Sequence, residues 1–245
     1  MISMLDKIVA KTEERLIEAK SNKSLDQLKE EVSKLDISDE FPFKEALRDP
    51  EIAIIAEVKI ASPSKGLIAE DFDYIKIAKE YEQAGASAIS VLTEPYFFKG
   101  SNDYLKKIAE NVHIPILRKD FTIDEYMIYE AKTLGASAIL LIVSILDDVQ
   151  LKAYLDLAHD LGLSAIVETH DADEIKTAST LFSFNLLTSS AVLMPLSEMN
   201  NTSSLTNLRK LTLLLISTVK SARFLLFTPI ISAPAPIAVL ISSSS

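Results

Sequence analysis

A five-residue phrase returns along this chain and limits what it can fold into. Gly85-Ala86-Ser87-Ala88-Ile89 is followed by Ser90-Val91-Leu92, and 50 residues on Gly135-Ala136-Ser137-Ala138-Ile139 is followed by Leu140-Leu141-Ile142. Gly162-Leu163-Ser164-Ala165-Ile166-Val167 is a looser third copy. A glycine of this kind ends a helix in the left-handed conformation. The apolar run after it is too continuous for a strand with one wet face, so it reads as a buried parallel strand. Ile52 to Val58 and Ile114 to Leu117 are two further runs of the same type. Five strands are therefore expected, near 52–58, 86–92, 114–118, 138–142 and 163–168, with helices between them, one over 72–84. Regular strand–helix repetition means a parallel sheet, either a (β/α)8 barrel or a doubly wound sheet. Ahead of it, Leu5, Ile8, Val9, Leu16, Leu25, Leu28 and Val32 have helical spacing and predict one or two amphipathic helices over 4–34.

In a barrel, chemistry sits at the C-terminal ends of the strands. Those ends are charged here. The first carries Glu57 and Lys59, the second Thr93-Glu94, the third Arg118-Lys119-Asp120, and the fifth Glu168. Charged side chains are rarely buried without partners. Such a ring is either catalytic or a structural ion-pair network, and its place at the rim favours catalysis.

Composition narrows the rest. The chain has no cysteine, which excludes a disulfide framework and a thiolate metal site. His113, His159 and His170 are too few and scattered for a histidine metal cluster. A net charge of -10 argues against nucleic acid as a partner. Charges precede any apolar run at the N-terminus, which is not the pattern of a secretory signal, so a cytoplasmic protein is expected.

The motifs resemble a family. Ile55-Ala56-Glu57-Val58-Lys59-Ile60-Ala61-Ser62-Pro63-Ser64-Lys65-Gly66 is similar to the first-strand motif of indole-3-glycerol phosphate synthases. Ser90-Val91-Leu92-Thr93-Glu94-Pro95-Tyr96-Phe97-Phe98-Lys99-Gly100 and Pro115-Ile116-Leu117-Arg118-Lys119-Asp120-Phe121 follow in that family's order. The resemblance covers about residues 1–178 and implies the (β/α)8 (TIM) barrel fold with an extra N-terminal helix, cut here to about five βα units. It implies decarboxylating ring closure of 1-(2-carboxyphenylamino)-1-deoxyribulose 5-phosphate, a tryptophan-pathway reaction without metal or organic cofactor. By motif, Lys119 is implied as general acid at the substrate carbonyl and Glu168 as the acid or base of the dehydration. Lys59 and Glu57 are implied beside them, Ser62 at the phosphate, Glu94 at the substrate, and Phe98, Phe121 and Leu140 around the anthranilate ring. A Schiff-base aldolase using Lys119 and a non-catalytic barrel fragment are the competing readings.

The resemblance stops near residue 179. All five glycines lie before residue 163, and Glu198 is the one acidic residue after 180. Residues 1–180 hold 21 basic and 34 acidic groups, while residues 181–245 hold 4 and 1. A phosphate-binding loop needs glycine for close backbone approach, and this tail has none. Its apolar run from Leu211 to Val219 is nine residues, well short of the roughly 20 that span a bilayer. Another reading fits it. With suitable synonymous codons, the reverse complement of the stretch from Phe224 to Pro236, read one base later, encodes Gly-Ala-Gly-Ala-Glu-Ile-Ile-Gly-Val-Asn-Asn-Arg. That is the family's sixth-strand motif. The neighbourhood of Ser197 and Glu198 gives Ile-Ser-Glu-Ser-Gly-Ile, its seventh. Ala238 to Ser243 gives back Asp-Glu-Ile-Lys-Thr-Ala, which is Asp173 to Ala178 of this same chain. The expectation is an incomplete barrel domain over 1–178 and an antisense, apolar, aggregation-prone tail over 179–245.

Overall fold

The computed structural model describes residues 2–48, 53–62, 66–67, 72–183, 191–195, 225–227 and 239–241. The expected N-terminal amphipathic segment forms two helices, α1 (Met4–Asn22) and α2 (Leu25–Val32). Each opens with a reciprocal cap, Ser3 with Asp6 and Ser24 with Gln27, which satisfies amide groups the first turn leaves free. The short α3 (Pro42–Ala46) leads into β1 (Ile55–Val58) and a small hairpin of β2 (Ala61–Ser62) and β3 (Gly66–Leu67). Strand and helix then alternate. They are α4 (Tyr74–Gln83), β4 (Ala88–Leu92), α5 (Asn102–Ala109), β5 (Ile116–Lys119), α6 (Glu125–Thr133), β6 (Ala138–Ile142), α7 (Asp148–Asp160), β7 (Ser164–Thr169) and α8 (Ala172–Ser183).

The repeated phrase does one job three times. Gly85, Gly135 and Gly162 have φ of 89°, 88° and 65°. At each, the glycine amide and the next one fold back onto the last helical turn, as Gly85 N to Glu82 O and Ala86 N to Tyr81 O. This closes the helix and aims the chain into the sheet.

β1, β4, β5, β6 and β7 are parallel neighbours at the five expected positions, with ends shifted by up to three residues. The sheet goes one strand further than the sequence predicts. β8 (Ala191–Pro195) lies parallel to β7, with Ala165 opposite Ala191 and Thr169 opposite Pro195. An edge strand presents unpaired amide and carbonyl groups, and the apolar Ala-Val-Leu-Met-Pro segment satisfies them. Further along, β9 (Leu225–Phe227) and β10 (Val239–Ile241) form a separate antiparallel pair. Among the described residues the parallel sheet is open, with β1 and β8 at its edges.

Strand alternation splits the core in two. Ile55, Ala88, Leu117, Ala138, Leu140, Ile142 and Ile166 share the inner face with Phe43 and Leu47 from the α3 region. Val58, Ile89, Val91, Ile116, Ile139, Leu141 and Val167 face outward onto Ala78, Leu105, Ile108, Ile128 and Leu151 of the helices. Each fully buried Ile or Leu contributes about 1.5–3 kcal/mol of transfer free energy.

Candidate active site at the strand ends

The same alternation carries the inner face up to the rim. Glu57 follows Ile55 by two residues, Lys119 follows Leu117, and Glu168 follows Ile166, so all three point inward. Lys119 Nζ reaches across β6 to Glu168 Oε2 at 3.4 Å. The lysine side chain is 31% exposed and the glutamate 12%. Lys59 Nζ donates to Glu57 Oε1 at the end of β1. Phe98 and Phe121 face each other with ring centroids 6.1 Å apart, and Leu140 lies buried in the inner cluster. Ser62 has its backbone in β2, and its side chain lies outside the described residues.

Glu94 does not join this group. It is 1% exposed, and its carboxylate accepts from the amides of Tyr96 (2.9 Å), Phe97 (2.7 Å) and Phe98 (3.0 Å). Its oxygens anchor its own loop. The loop is tight. A Cβ on Gly100 would lie 2.4 Å from the Leu92 carbonyl oxygen. Glu94 thereby sets where Phe98 stands.

Arg118 and Asp120, the neighbours of Lys119, point the other way. Arg118 is 2% exposed and donates to Glu130 Oε2 (2.6 Å), Met127 O (2.8 Å), Asn102 Oδ1 (3.0 Å) and Thr93 Oγ1 (3.2 Å). Asp120 is fully buried and accepts both guanidinium nitrogens of Arg15, at 2.9 and 3.0 Å, and the Thr93 hydroxyl at 2.5 Å. Burial pushes the Asp120 carboxyl up, but Arg15, Arg118 and the hydrogen bonds from Arg15 and Thr93 outweigh it and hold it below the ordinary carboxylate value. Arg15 belongs to α1, so this network fastens the extra helix to the barrel. Lys20 to Asp124 (2.8 Å) and the Tyr126 hydroxyl to Ala19 O (3.1 Å) add to it. Behind β1, burial and then the charges of Glu57 and Glu80 push the Tyr81 hydroxyl up to about 12, so it stays neutral.

Two neighbours of these groups escape sequence reasoning. Arg15 lies on a helix with no motif and meets Asp120 only through the fold. His170 stands two residues beyond Glu168, with Nε2 3.7 Å from Glu168 Oε1. The period of two along β7 is the signal that could have placed it. Among the described residues no group of three or more His, Asp or Glu side chains is arranged to hold a metal ion. Among them, too, no helix is long and apolar enough to cross a membrane.

Comparison with known proteins fits this geometry. The family model of indole-3-glycerol phosphate synthase matches residues 5–186. The indole-3-glycerol phosphate synthase of Ruminiclostridium cellulolyticum is 54% identical over 175 residues, covering 71% of this chain and 67% of that protein. Those of Leuconostoc mesenteroides (54% over 177 residues, 71% and 68% covered) and Lacticaseibacillus paracasei (54% over 175 residues, 71% and 67% covered) match as well. With five strands in the expected order, the inner-face Lys119–Glu168 pair at the rim and a family match from residue 5 to 186, the chain belongs to the indole-3-glycerol phosphate synthase family.

Proposed function

We propose that residues 1–178 carry the ring-closing machinery of an indole-3-glycerol phosphate synthase. The reaction converts 1-(2-carboxyphenylamino)-1-deoxyribulose 5-phosphate to indole-3-glycerol phosphate, carbon dioxide and water. A bond forms between the ring carbon bearing the carboxylate and the ketone carbon. The ketone oxygen then needs a proton, and Lys119 donates it as general acid. Loss of carbon dioxide restores aromatic character, and loss of the new hydroxyl as water completes the indole. Glu168 moves the protons of that last step. Lys59, oriented by Glu57, binds a substrate anion, and Ser62 takes part at the phosphate. Phe98, Phe121 and Leu140 form the apolar side that receives the anthranilate ring.

The observation that carries this reading is the Lys119–Glu168 contact across β6. It joins a cation with three donors to a carboxylate acceptor, on the inner face at the C-terminal rim of the sheet and partly open to solvent. The phosphorylated small molecule is the one partner proposed, with no nucleic acid and no membrane, in the cytoplasm. The chain as written turns over slowly, because its tail offers no glycine for a phosphate loop and lost remote binding lowers turnover as well as affinity. The apolar runs of residues 196–245 favour self-association. The test is to invert the coding strand from about codon 179, rejoin it in frame, and measure steady-state turnover of the rebuilt chain with and without Lys119→Met. Rebuilt enzyme with unchanged turnover after Lys119→Met removes Lys119 from the mechanism.

A further inference from the structure

We propose that His170 is a positioning residue that exchanges a proton with Glu168 and connects it to solvent. The inference rests on the reading of Glu168 as the group that moves protons. Its physical basis is the set of partners around the imidazole ring. Glu174, in the first turn of α8, accepts from the His170 backbone amide at 2.6 Å. The same oxygen, Glu174 Oε2, lies 3.2 Å from ring Nδ1. A carboxylate only accepts hydrogen bonds, so Nδ1 carries the proton. The Ser144 hydroxyl, 3.5 Å from Nδ1, is a weaker second neighbour.

With Nδ1 assigned, Nε2 is left facing Glu168 Oε1 at 3.7 Å. A neutral ring in this tautomer presents a lone pair there, and an ionised carboxylate presents another. At 3.7 Å they lie beyond hydrogen-bond distance, and a proton on either one lets them close into contact. Either the imidazolium N–H points at the carboxylate, or the protonated acid points at the ring. Transfer breaks the Nε2–H bond and forms an Oε1–H bond, turning imidazolium and carboxylate into neutral imidazole and acid, and the reverse step returns it.

The two oxygens of Glu168 therefore face different groups, Oε2 the Lys119 ammonium at 3.4 Å and Oε1 the His170 ring at 3.7 Å. The ring is 38% exposed and Glu168 12%. Water reaches the histidine more readily, so the ring replaces the proton that Glu168 spends. The charged groups that face His170 are Glu168 on β7 and Glu174 on α8, with Lys119 of β5 behind Glu168.

The test uses the full 245-residue chain labelled with ring-15N histidine and observed by long-range proton–nitrogen correlation above the imidazole titration range. The expected His170 pattern is protonated Nδ1 and unprotonated Nε2. Glu174→Gln should move the ring toward the Nε2–H form. Glu168→Gln should shift the Nε2 resonance and leave Nδ1 protonated. His170 found with Nε2–H in the unsubstituted chain, or an Nε2 resonance indifferent to Glu168→Gln, overturns the proposal. Ser144→Ala, a milder change next to the same ring nitrogen, should keep the Nδ1–H form, and a switch there would assign the tautomer to Ser144 instead. None of these readouts requires turnover, so a failed histidine assignment and a failed catalytic reading are told apart.

Discussion

Lys119 and its two neighbours occupy three successive positions and live in opposite environments. Arg118 and Asp120, on the outer face, are at most 2% exposed and bound to groups from α1, the residue after β4, α5 and α6. Lys119, on the inner face, makes one 3.4 Å contact and keeps a third of its side chain open. The outer pair is saturated and has nothing left to offer a substrate. The inner lysine has donors to spare. A residue that must meet a substrate cannot have its hydrogen-bonding capacity consumed by the fold, and one that holds a fold together cannot have it spare.

The contrast is sharpened most by activity. In the chain rebuilt with its tail inverted, Lys119→Met should lower turnover by about 10²–10⁴-fold, the usual worth of a general acid. Glu168→Gln should cost a similar factor. The chain as written should fall far below the rebuilt one in the same steady-state assay, and equal rates would undo the inference about the tail.

On the outer face the expected loss is of stability. Asp120→Ala leaves Arg15 and Arg118 buried beside a missing partner, and breaking a buried pair from one side costs about 3–5 kcal/mol. Urea unfolding of the full chain measures it. A loss under about 1 kcal/mol would make the network a surface-type pairing. The same site gives a pH dependence. The folded Asp120 carboxyl titrates below its unfolded value, which is about 3.9. Its contribution is therefore complete above about pH 4 and is lost as pH falls through the folded value. The urea midpoint should drop more steeply below about pH 4 in the natural chain than in Asp120→Asn, and parallel curves would contradict the assignment.

How much of this could be read in advance divides along the same faces. The helix-ending glycines and continuous apolar runs made all five strands legible, because those signals are local. The inward set of Glu57, Lys59, Lys119 and Glu168 was legible through its motifs. The bonds of Glu94 to its own loop were not legible, because a carboxylate two to four residues before free amides can turn back on them and residue type does not say which way it turns. The roles of Arg118 and Asp120 needed Arg15, which is 105 residues from Asp120 in the chain. Sequence spacing holds no trace of such a contact. β8 was missed because its pairing comes from an open neighbouring edge rather than from a pattern of its own.

Glu94 provides an intermediate case. Glu94→Ala strips the acceptor from three loop amides, and a buried donor left unsatisfied costs about 1–3 kcal/mol. Because the same loop carries Phe98, this change should also raise KM in the rebuilt enzyme, whereas Asp120→Asn should not. Stability lost with KM unchanged would mean that the loop does not line the substrate.

The smallest expected effect is the stability change on Lys119→Met, and it decides the comparison. Methionine keeps most of the apolar stem and removes the ammonium group. The lost contact is a single long ion pair with one partner partly exposed, and such pairs are worth about 0–1 kcal/mol. Lys119→Met should therefore unfold within about 1 kcal/mol of the natural chain, while Asp120→Ala one position away falls by several times as much. If instead Lys119→Met costs about 3 kcal/mol or more, in the range of a broken buried pair, then Lys119 belongs with Arg118 and Asp120 in the framework. Its place on the inner face would then be structural, and the general acid would have to be sought at Lys59.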